Sequence, residues 1–256
     1  MDDAQEAILY RHAMPMFLWK TLQWLNVGRE KKLLQAWKTT DAYFGNCITL
    51  RRESLCKGVD TTDMLSMYIK SEHESCKNDM FVRDAIVNMF TAGRDTIASG
   101  LIWFLWLVTK TPRVEAKILE ELKLVAKMED PKIKCVFNSD DLKGLVYLHA
   151  SLNESLRLCP PLPLNSKGVI KEDVLPDGSV VKPGMQIILS FYSEGKMPWI
   201  WGEDSLEFKL ERWIDHEGKI GYELMSKFFA FNVGPRTCFG KDIIYTDELC
   251  SCRYTL

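Results

Sequence analysis

The chain has 256 residues, of which 46% are hydrophobic and 27% are charged, and its formal net charge is −2. This composition is typical of a globular intracellular protein, and a nearly balanced charge without an evident basic patch argues against nucleic acid as a partner. The longest apolar run, from Leu101 to Val108, is far shorter than the roughly 18 to 20 residues that cross a bilayer, so no membrane span is predicted.

Hydrophobic periodicity predicts a mainly helical chain with a small β-sheet in its second half. Because the run from Leu101 to Val108 is apolar all round, we expect that part of its helix to be buried on every side. Turn residues at 176–178 and 183–184 separate the predicted strands, and an irregular aromatic segment follows at 199–213. The predicted helices cover residues 2–12, 16–26, 29–56, 60–70, 78–109, 112–128 and 144–158, and the predicted strands cover about 165–170 and 180–190.

The longest predicted helix carries the sequence Phe90-Thr-Ala-Gly-Arg-Asp-Thr96. Within it, Ala92 and Gly93 have very little side-chain volume and lie next to the carboxyl group of Asp95 and the hydroxyl of Thr96. The space left by the two small residues could admit dioxygen. The plainer interpretation is a glycine tolerated in a helix at about 1 kcal/mol, with the acid solvated. Alone, the motif is only moderately specific.

The pattern predicts that a helix ends in a second segment, where a double proline stops it. This segment is Asn153-Glu-Ser-Leu-Arg-Leu-Cys-Pro-Pro161. Glu154 and Arg157 are three residues apart, so they share one helix face and can pair. An ordinary surface ion pair of this kind contributes only about 0.3 to 0.5 kcal/mol and has no function. A later arginine, Arg212, is a third candidate for the same cluster.

The most informative segment is Phe231-Asn-Val-Gly-Pro-Arg-Thr-Cys-Phe-Gly240. Gly234 can adopt the positive φ of a tight turn, and Gly240 allows a flat ligand to approach the backbone without a Cβ in the way. Arg236 adds a permanent cation. A helix that begins just after Cys238 would point its free amides at the sulfur and favour the thiolate that binds metal.

Two alternatives to a metal-binding loop remain open on the residues alone. Cys238 could be one more buried, inert thiol, since the chain has eight cysteines and no secretory signal that would indicate a disulfide framework. Zinc could also be held by Cys238, Cys250, Cys252 and His216, although their spacing fits no common zinc-finger pattern.

The ten positions from Phe231 to Gly240 match Phe-x-x-Gly-x-Arg-x-Cys-x-Gly, and they resemble the haem-binding loop of the cytochrome P450 monooxygenases. The Glu-x-x-Arg pair, the later arginine and the Ala-Gly-x-Asp-Thr helix also occur in the family's order. The resemblance implies the C-terminal part of the P450 fold, which is helix-rich with a small β-sheet and a long cysteine loop. It also implies haem, iron protoporphyrin IX, with the thiolate of Cys238 as the only protein ligand of the iron.

The resemblance assigns roles to the other motifs as well. Glu154, Arg157 and Arg212 are expected to form a buried structural network that holds Cys238 in place. Asp95 and Thr96 are expected to relay protons to dioxygen. The positions expected to contact the cofactor are Ala92, Gly93, Phe231, Gly234, Arg236, Cys238 and Gly240.

A narrower resemblance is to the plant midchain alkane and fatty-acid ω-hydroxylase branch. It implies a long-chain fatty acid or alkane as substrate, dioxygen and electrons from an NADPH-dependent reductase, and a location on the cytoplasmic face of the endoplasmic reticulum membrane. The matching segments are Ala92-Gly-Arg-Asp-Thr96, Val174-Leu-Pro-x-Gly178, Trp201-Gly-Glu-Asp204, Glu211-Arg-Trp213 and Gly234-Pro-Arg-Thr-Cys-Phe-Gly-Lys241.

Complete family members are much longer than this chain, so we expect residues 1–242 to be a partial P450 domain without its N-terminal half, followed by a divergent tail at 243–256. Without the family's membrane anchor, such a chain would be soluble or aggregated. The alternative function is therefore a truncated, non-catalytic remnant with weak or no haem binding, because losing half a domain can remove all of a folding stability of about 5 to 15 kcal/mol.

Three departures from the family pattern bear on these expectations. Ile97 replaces a second hydroxyl after the threonine, which would weaken a proton relay. Ser166 stands where a basic residue often contacts a haem propionate. Leu210 replaces a proline before Glu211-Arg212, which could loosen the segment that holds the arginine.

Overall fold

The computed structural model describes residues 2–59, 61–126, 144–221 and 226–244. The chain divides into two compact units, one up to Arg94 and one from Asp95 onward. The α-helices are α1 (Asp2–Ala13), α2 (Met16–Leu25), α3 (Gly28–Cys56), α4 (Met64–Lys70), α5 (Asp79–Thr109), α6 (Pro112–Ala126), α7 (Val146–Leu158), α8 (Phe191–Glu194) and α9 (Pro198–Trp201). Short 3-10 helices lie at Glu74–Lys77, Leu210–Trp213 and Gly234–Arg236.

All seven predicted helices are present, and local residues explain most of their ends. Helix α4 begins at Met64 rather than at residue 60, because the Asp63 side chain caps it by accepting from the Ser66 amide at 3.0 Å. Helix α6 begins at Pro112, a residue suited to the first helical turn. Helix α7 ends at Leu158, just before the double proline.

In the first unit, α1 packs against α3 through ion pairs as well as apolar contacts. Arg11 donates to both carboxylate oxygens of Glu30 at 2.9 and 2.6 Å, and Glu30 is buried. Phe44 of α3 contacts the ring of Phe90 at a centroid distance of 5.7 Å. This contact anchors the start of α5 on α3.

The core of the second unit is an apolar cluster built mainly from α5, α6 and α7. It covers only one face of α5, because Ile102, Trp103 and Trp106 are 67%, 42% and 50% exposed. The expectation that the run from Leu101 to Val108 is buried on every side was therefore wrong. The fully buried members of the cluster include Phe104, Val108, Val114, Ile118, Leu145, Leu148, Leu152, Leu210 and Trp213.

Among the described residues, the strands form two separate antiparallel pairs rather than one small sheet. Strand β1 (Leu164–Gly168) pairs with β4 (Gln186–Ser190), and β2 (Asp173–Val174) pairs with β3 (Val180–Val181). The predicted strand at 180–190 is interrupted because the Met185 amide donates to the Lys182 carbonyl, with Gly184 at a φ of 88°. None of the described helices is long and apolar enough to span a bilayer.

Candidate active site

The cysteine loop, residues 231–240, is held together by main-chain hydrogen bonds. Gly234 has a φ of 69°, the left-handed conformation that glycine adopts at little cost, as predicted for a tight turn. The Thr237 amide and hydroxyl both donate to the Gly234 carbonyl, at 3.0 and 2.8 Å. The Cys238 amide then donates to the Phe231 carbonyl at 2.8 Å, which brings the start of the loop back to the cysteine.

Cys238 is exposed, so the interpretation of this residue as a buried cysteine was wrong. A Cβ on Gly240 would lie 3.9 Å from the Cys238 sulfur, in ordinary van der Waals contact. Glycine at this position therefore keeps one approach to the sulfur clear. Residues 241–244 are helical, and the Lys241 amide is 3.4 Å from the Cys238 carbonyl. A helix thus begins directly after the loop, as expected.

Glu154, Arg157 and Arg212 come together in one largely buried network, as the resemblance to the family implied. Arg157 donates from Nε and Nη2 to the two carboxylate oxygens of Glu154, both at 2.8 Å, and the side chains of both residues are 0% exposed. Arg212 donates from Nε to Glu154 Oε1 at 3.0 Å. Two cations therefore surround one carboxylate: Arg157 binds it with the bidentate geometry that guanidinium groups favour, and Arg212 adds a single bond.

The two arginines also donate hydrogen bonds to main-chain carbonyls of the irregular segment before the cysteine loop. Arg157 Nη1 donates to the carbonyls of Gly195 and Ser205, the latter at 2.6 Å. Arg212 donates to the carbonyls of Trp201 and Asp204, at 2.9 and 3.0 Å. These bonds satisfy backbone groups that form no regular secondary structure, so the network shapes the segment as well as balancing its own charge.

Sequence reasoning missed two further donors to Glu154. The indole Nε1 of Trp213 donates to Oε2 at 2.8 Å, and the Lys209 amide donates to Oε1 at 3.0 Å. A signal for Trp213 was available, because a tryptophan beside a buried arginine supplies the extra N–H that a buried carboxylate needs.

Gly195 was missed for a different reason. A Cβ on this glycine would lie 2.2 Å from the Arg157 carbonyl oxygen, which no side chain can tolerate. Its φ of −60° is ordinary, so nothing in the local sequence marks the close approach. Only the packing of α8 against the end of α7 shows it.

Three carboxylates of the second unit have shifted pKa values with clear causes. Hydrogen bonds from Lys209 and Arg212 lower the pKa of Asp204 from 3.8 to about 2. Burial raises the pKa of Glu194, whose carboxylate accepts from the Trp201 indole. Burial also raises the pKa of Glu121, which caps the start of α7 by accepting from the amides of Tyr147 and Leu148, at 2.9 and 3.0 Å.

The predicted dioxygen-and-proton motif lies inside α5. Ala92 and Gly93 belong to the end of the first unit, whereas Asp95 and Thr96 begin the second. A Cβ on Gly93 would meet no atom within 4 Å, so this glycine is not required for packing. The roles of these four residues toward dioxygen and haem stay predictions.

The departures from the family pattern have different structural outcomes. Leu210 is fully buried in the core. Arg212 still donates to Glu154 and to the Trp201 carbonyl, so a proline at position 210 is not needed to hold the arginine. Ile97 packs against the same core. Ser166 lies in β1, where it is paired with Ile188 and exposed.

The donor chemistry of the loop fits a haem better than a metal held by protein alone. Among the described residues, no group of three or more His, Cys, Asp or Glu side chains is placed to hold a metal ion. A single accessible thiol suits an iron whose other ligands come from a porphyrin. Cys250 and Cys252, which the zinc alternative requires, lie outside the described residues.

Comparison with known proteins identifies the family of the chain. The cytochrome P450 family model matches residues 2–244. Alkane hydroxylase MAH1 of Arabidopsis thaliana is 41% identical over 251 residues, which cover 94% of this chain and 48% of that protein. Noroxomaritidine synthase 1 of Narcissus pseudonarcissus is 38% identical over 251 residues, which cover 96% of this chain and 48% of that protein. The chain therefore spans about half the length of the curated relatives it matches.

A solved structure adds the fold. The crystal structure of the cytochrome P450 CYP102L1 superposes with a TM-score of 0.73 at 23% sequence identity, covering 92% of this chain and 52% of that one. The mainly helical fold predicted from the sequence, with its small β content and its cysteine loop, is thus part of the P450 fold. On its sequence, its fold and its cysteine loop, the chain belongs to the cytochrome P450 family.

Proposed function

We propose that this chain binds haem through the thiolate of Cys238 and forms part of a haem-thiolate monooxygenase. The observation that carries the proposal is the exposed Cys238 thiol on a loop whose main chain is fixed at both ends. Phe231 accepts the cysteine amide at one end, and a helix begins at Lys241 at the other. The haem, when bound, supplies the oxidising chemistry, and the protein residues supply binding, orientation and protons.

The roles of the protein residues follow from their surroundings. Glu154 and Arg157 are buried, Arg212 is largely buried, and both arginines pair with Glu154, so the three residues act through folding and not through contact with substrate. Gly234 and Gly240 give the loop its turn and its open approach to the sulfur, and the exposed Arg236 offers a cation to an anionic haem propionate.

A long-chain fatty acid or alkane is the proposed substrate, oxidised with dioxygen and with electrons from an NADPH-dependent reductase. The alkane hydroxylase at 41% identity supports this choice. The noroxomaritidine synthase at 38% identity has a different name at nearly the same distance, so the substrate needs its own test. Incubating the haem-loaded chain and a reductase with lauric acid and with dodecane, and identifying hydroxylated products, would discriminate between acid and alkane.

The ligand assignment is tested by the visible spectrum of the haem-loaded chain after reduction and treatment with carbon monoxide. We expect a thiolate-type spectrum that Cys238→Ala abolishes. Cys56→Ala is the matched control, because Cys56 is also exposed but lies in α3 of the first unit. A thiolate-type spectrum that survives in the Cys238 variant would show that another cysteine binds the iron. If the unsubstituted chain takes up no haem, the alternative of a non-catalytic remnant is favoured.

We also propose that Thr96 positions a proton donor for dioxygen, with Asp95 as its neighbour in the relay. Thr96→Ala should retain haem but divert electrons from hydroxylated product to peroxide or water, because general acid catalysis needs a group within about 2.6 to 3.2 Å of the reacting atom, directly or through one water. Thr91→Ala is the control, since its hydroxyl bonds to the Val87 carbonyl of the same helix. Equal coupling of electrons to product in both variants would rule out the relay role of Thr96.

A further inference from the structure

Four aromatic rings form a continuous line from the Glu154 network to the cysteine loop. The ring centroids of Trp201 and Trp213 are 5.7 Å apart, those of Trp213 and Phe228 are 5.0 Å apart, and those of Phe228 and Phe231 are 5.9 Å apart. The last two contacts are edge-to-face, with interplanar angles of 73° and 80°. This aromatic line, Trp201–Trp213–Phe228–Phe231, lies entirely within the second unit.

The line is fixed by hydrogen bonds at the network end. The Trp213 indole donates to Glu154 Oε2 at 2.8 Å, and Trp213 is fully buried. The Trp201 indole donates to the carbonyl and the carboxylate of Glu194, at 3.1 and 3.2 Å. Both indole rings are thus held in one orientation, and the Trp213 ring presents a defined surface to Phe228.

At the other end, the line meets the residue that holds the cysteine. Phe231 is half-buried, and its carbonyl accepts the Cys238 amide at 2.8 Å. Every residue from 233 to 239 is exposed, so the intervening loop has no buried side chain of its own. The position of the loop therefore depends on what holds its two ends, which are Phe231 on one side and the buried Ile244 on the other.

We propose that Trp213 and Phe228 are positioning residues for Cys238, because they fix Phe231 and through it the hydrogen bond to the cysteine amide. The proposal rests on the proposed function, in which Cys238 is the haem ligand, and it names the route by which the buried network acts on that ligand. A close-packed interior passes a displacement from ring to ring, so a change at Trp213 reaches the loop. Neither residue contacts the sulfur in this role.

The test is residue-resolved hydrogen exchange on the haem-free chain, which reads the Cys238 amide directly. Phe228→Leu keeps an apolar side chain but removes both edge-to-face contacts. It should speed exchange at the Cys238 amide about 2- to 10-fold, from the usual strength of such ring contacts. The amides that join β1 to β4 should keep their rates. Phe208→Leu is the matched control, because Phe208 packs against the same core but outside the aromatic line.

Equal acceleration at Cys238 in the Phe228 and Phe208 variants would overturn the proposal, and so would an unprotected Cys238 amide in the unsubstituted chain. Trp213→Phe is a second test, because it keeps a ring but loses the indole N–H. It should also speed hydrogen exchange at the Cys238 amide. An unchanged exchange rate at the Cys238 amide in this variant would show that Trp213 does not help to position Cys238.

A second measurement uses the haem-loaded chain. In the Phe228→Leu variant, we expect a larger fraction of non-thiolate spectrum after reduction and carbon monoxide treatment than in the Phe208→Leu control. Equal fractions in the two variants would contradict the positioning role. If the unsubstituted chain shows no thiolate spectrum, the proposed function fails, while the exchange rates of the haem-free chain still decide whether the aromatic line holds the loop.

Discussion

The Glu154 network keeps its charged groups out of water, whereas the cysteine loop presents nearly all its side chains to it. Glu154 and Arg157 have 0% exposed side chains, and their hydrogen bonds end on protein atoms. In the loop, Cys238, Arg236 and Phe239 are exposed, and the bonds that define it join main-chain atoms. The difference separates a part that specifies folding from a part whose side chains remain accessible for chemistry.

The largest expected effect comes from breaking the network. Arg157→Ala leaves the Glu154 charge buried with fewer partners and frees carbonyls of the segment after α8, so unfolding should become easier by about 3 to 5 kcal/mol. Arg113→Ala is the control, since Arg113 pairs with Glu211 at 2.6 Å but is 59% exposed. It should change stability by less than about 1 kcal/mol. Urea denaturation of both variants measures the contrast, and similar losses would show that burial is not what makes the network matter.

The next effect concerns a close backbone approach beside the network. Gly195→Ala forces a Cβ against the Arg157 carbonyl oxygen and should destabilise the fold by about 1 to 3 kcal/mol. Gly45→Ala should have the opposite sign, a gain of about 0.5 to 1 kcal/mol, because Gly45 lies inside α3 with no atom within 4 Å of its Cβ position. Thermal unfolding of the two variants tests the signs, and destabilisation by both would contradict this account.

A smaller effect should depend on pH. Because Lys209 and Arg212 lower the pKa of Asp204 from 3.8 to about 2, the charged carboxylate stabilises the folded state above the unfolded value, and that contribution is lost as the pH falls from about 4 to 2. Asp204→Asn should therefore differ from the unsubstituted chain at pH 6 and converge with it near pH 2. Denaturation across this range measures the difference, and a constant gap would exclude ionisation of Asp204 as its cause.

The smallest effect on stability is expected in the loop, where the effect on chemistry is greatest. Cys238→Ser changes an exposed side chain, so the free energy of unfolding of the haem-free chain should stay within about 0.5 kcal/mol. Thiolate ligation should nevertheless disappear. A large loss of stability in the haem-free chain would mean that the sulfur packs against other side chains. Cys238 would then contribute to folding as well as to chemistry, contrary to what its exposure indicates.

Much of the fold was predictable because its determinants are local. The periodicity of apolar residues located all seven longer helices, Pro112 located the start of α6, and Gly234 located the turn in the cysteine loop. The grouping of Glu154 with Arg157 followed from their spacing on one helix face. Arg212 is distant in sequence, and it was joined to them only through the resemblance to a family.

Other features required the folded chain. The sequence could not show which face of α5 the core leaves open at Trp103 and Trp106, since apolarity predicts burial but not the number of neighbours. It could not show the clash that requires Gly195, nor the line of rings from Trp213 through Phe228 to Phe231.

By itself, therefore, the sequence determined the helices, the order of the motifs and the turn in the cysteine loop, because each depends on residues close together along the chain. The tertiary structure alone decided which donors complete the Glu154 carboxylate and what holds the start of the cysteine loop. The donors to Glu154 come from residues more than fifty positions away, such as Trp213, and their geometry is set only when the helices and the irregular segment pack into one core.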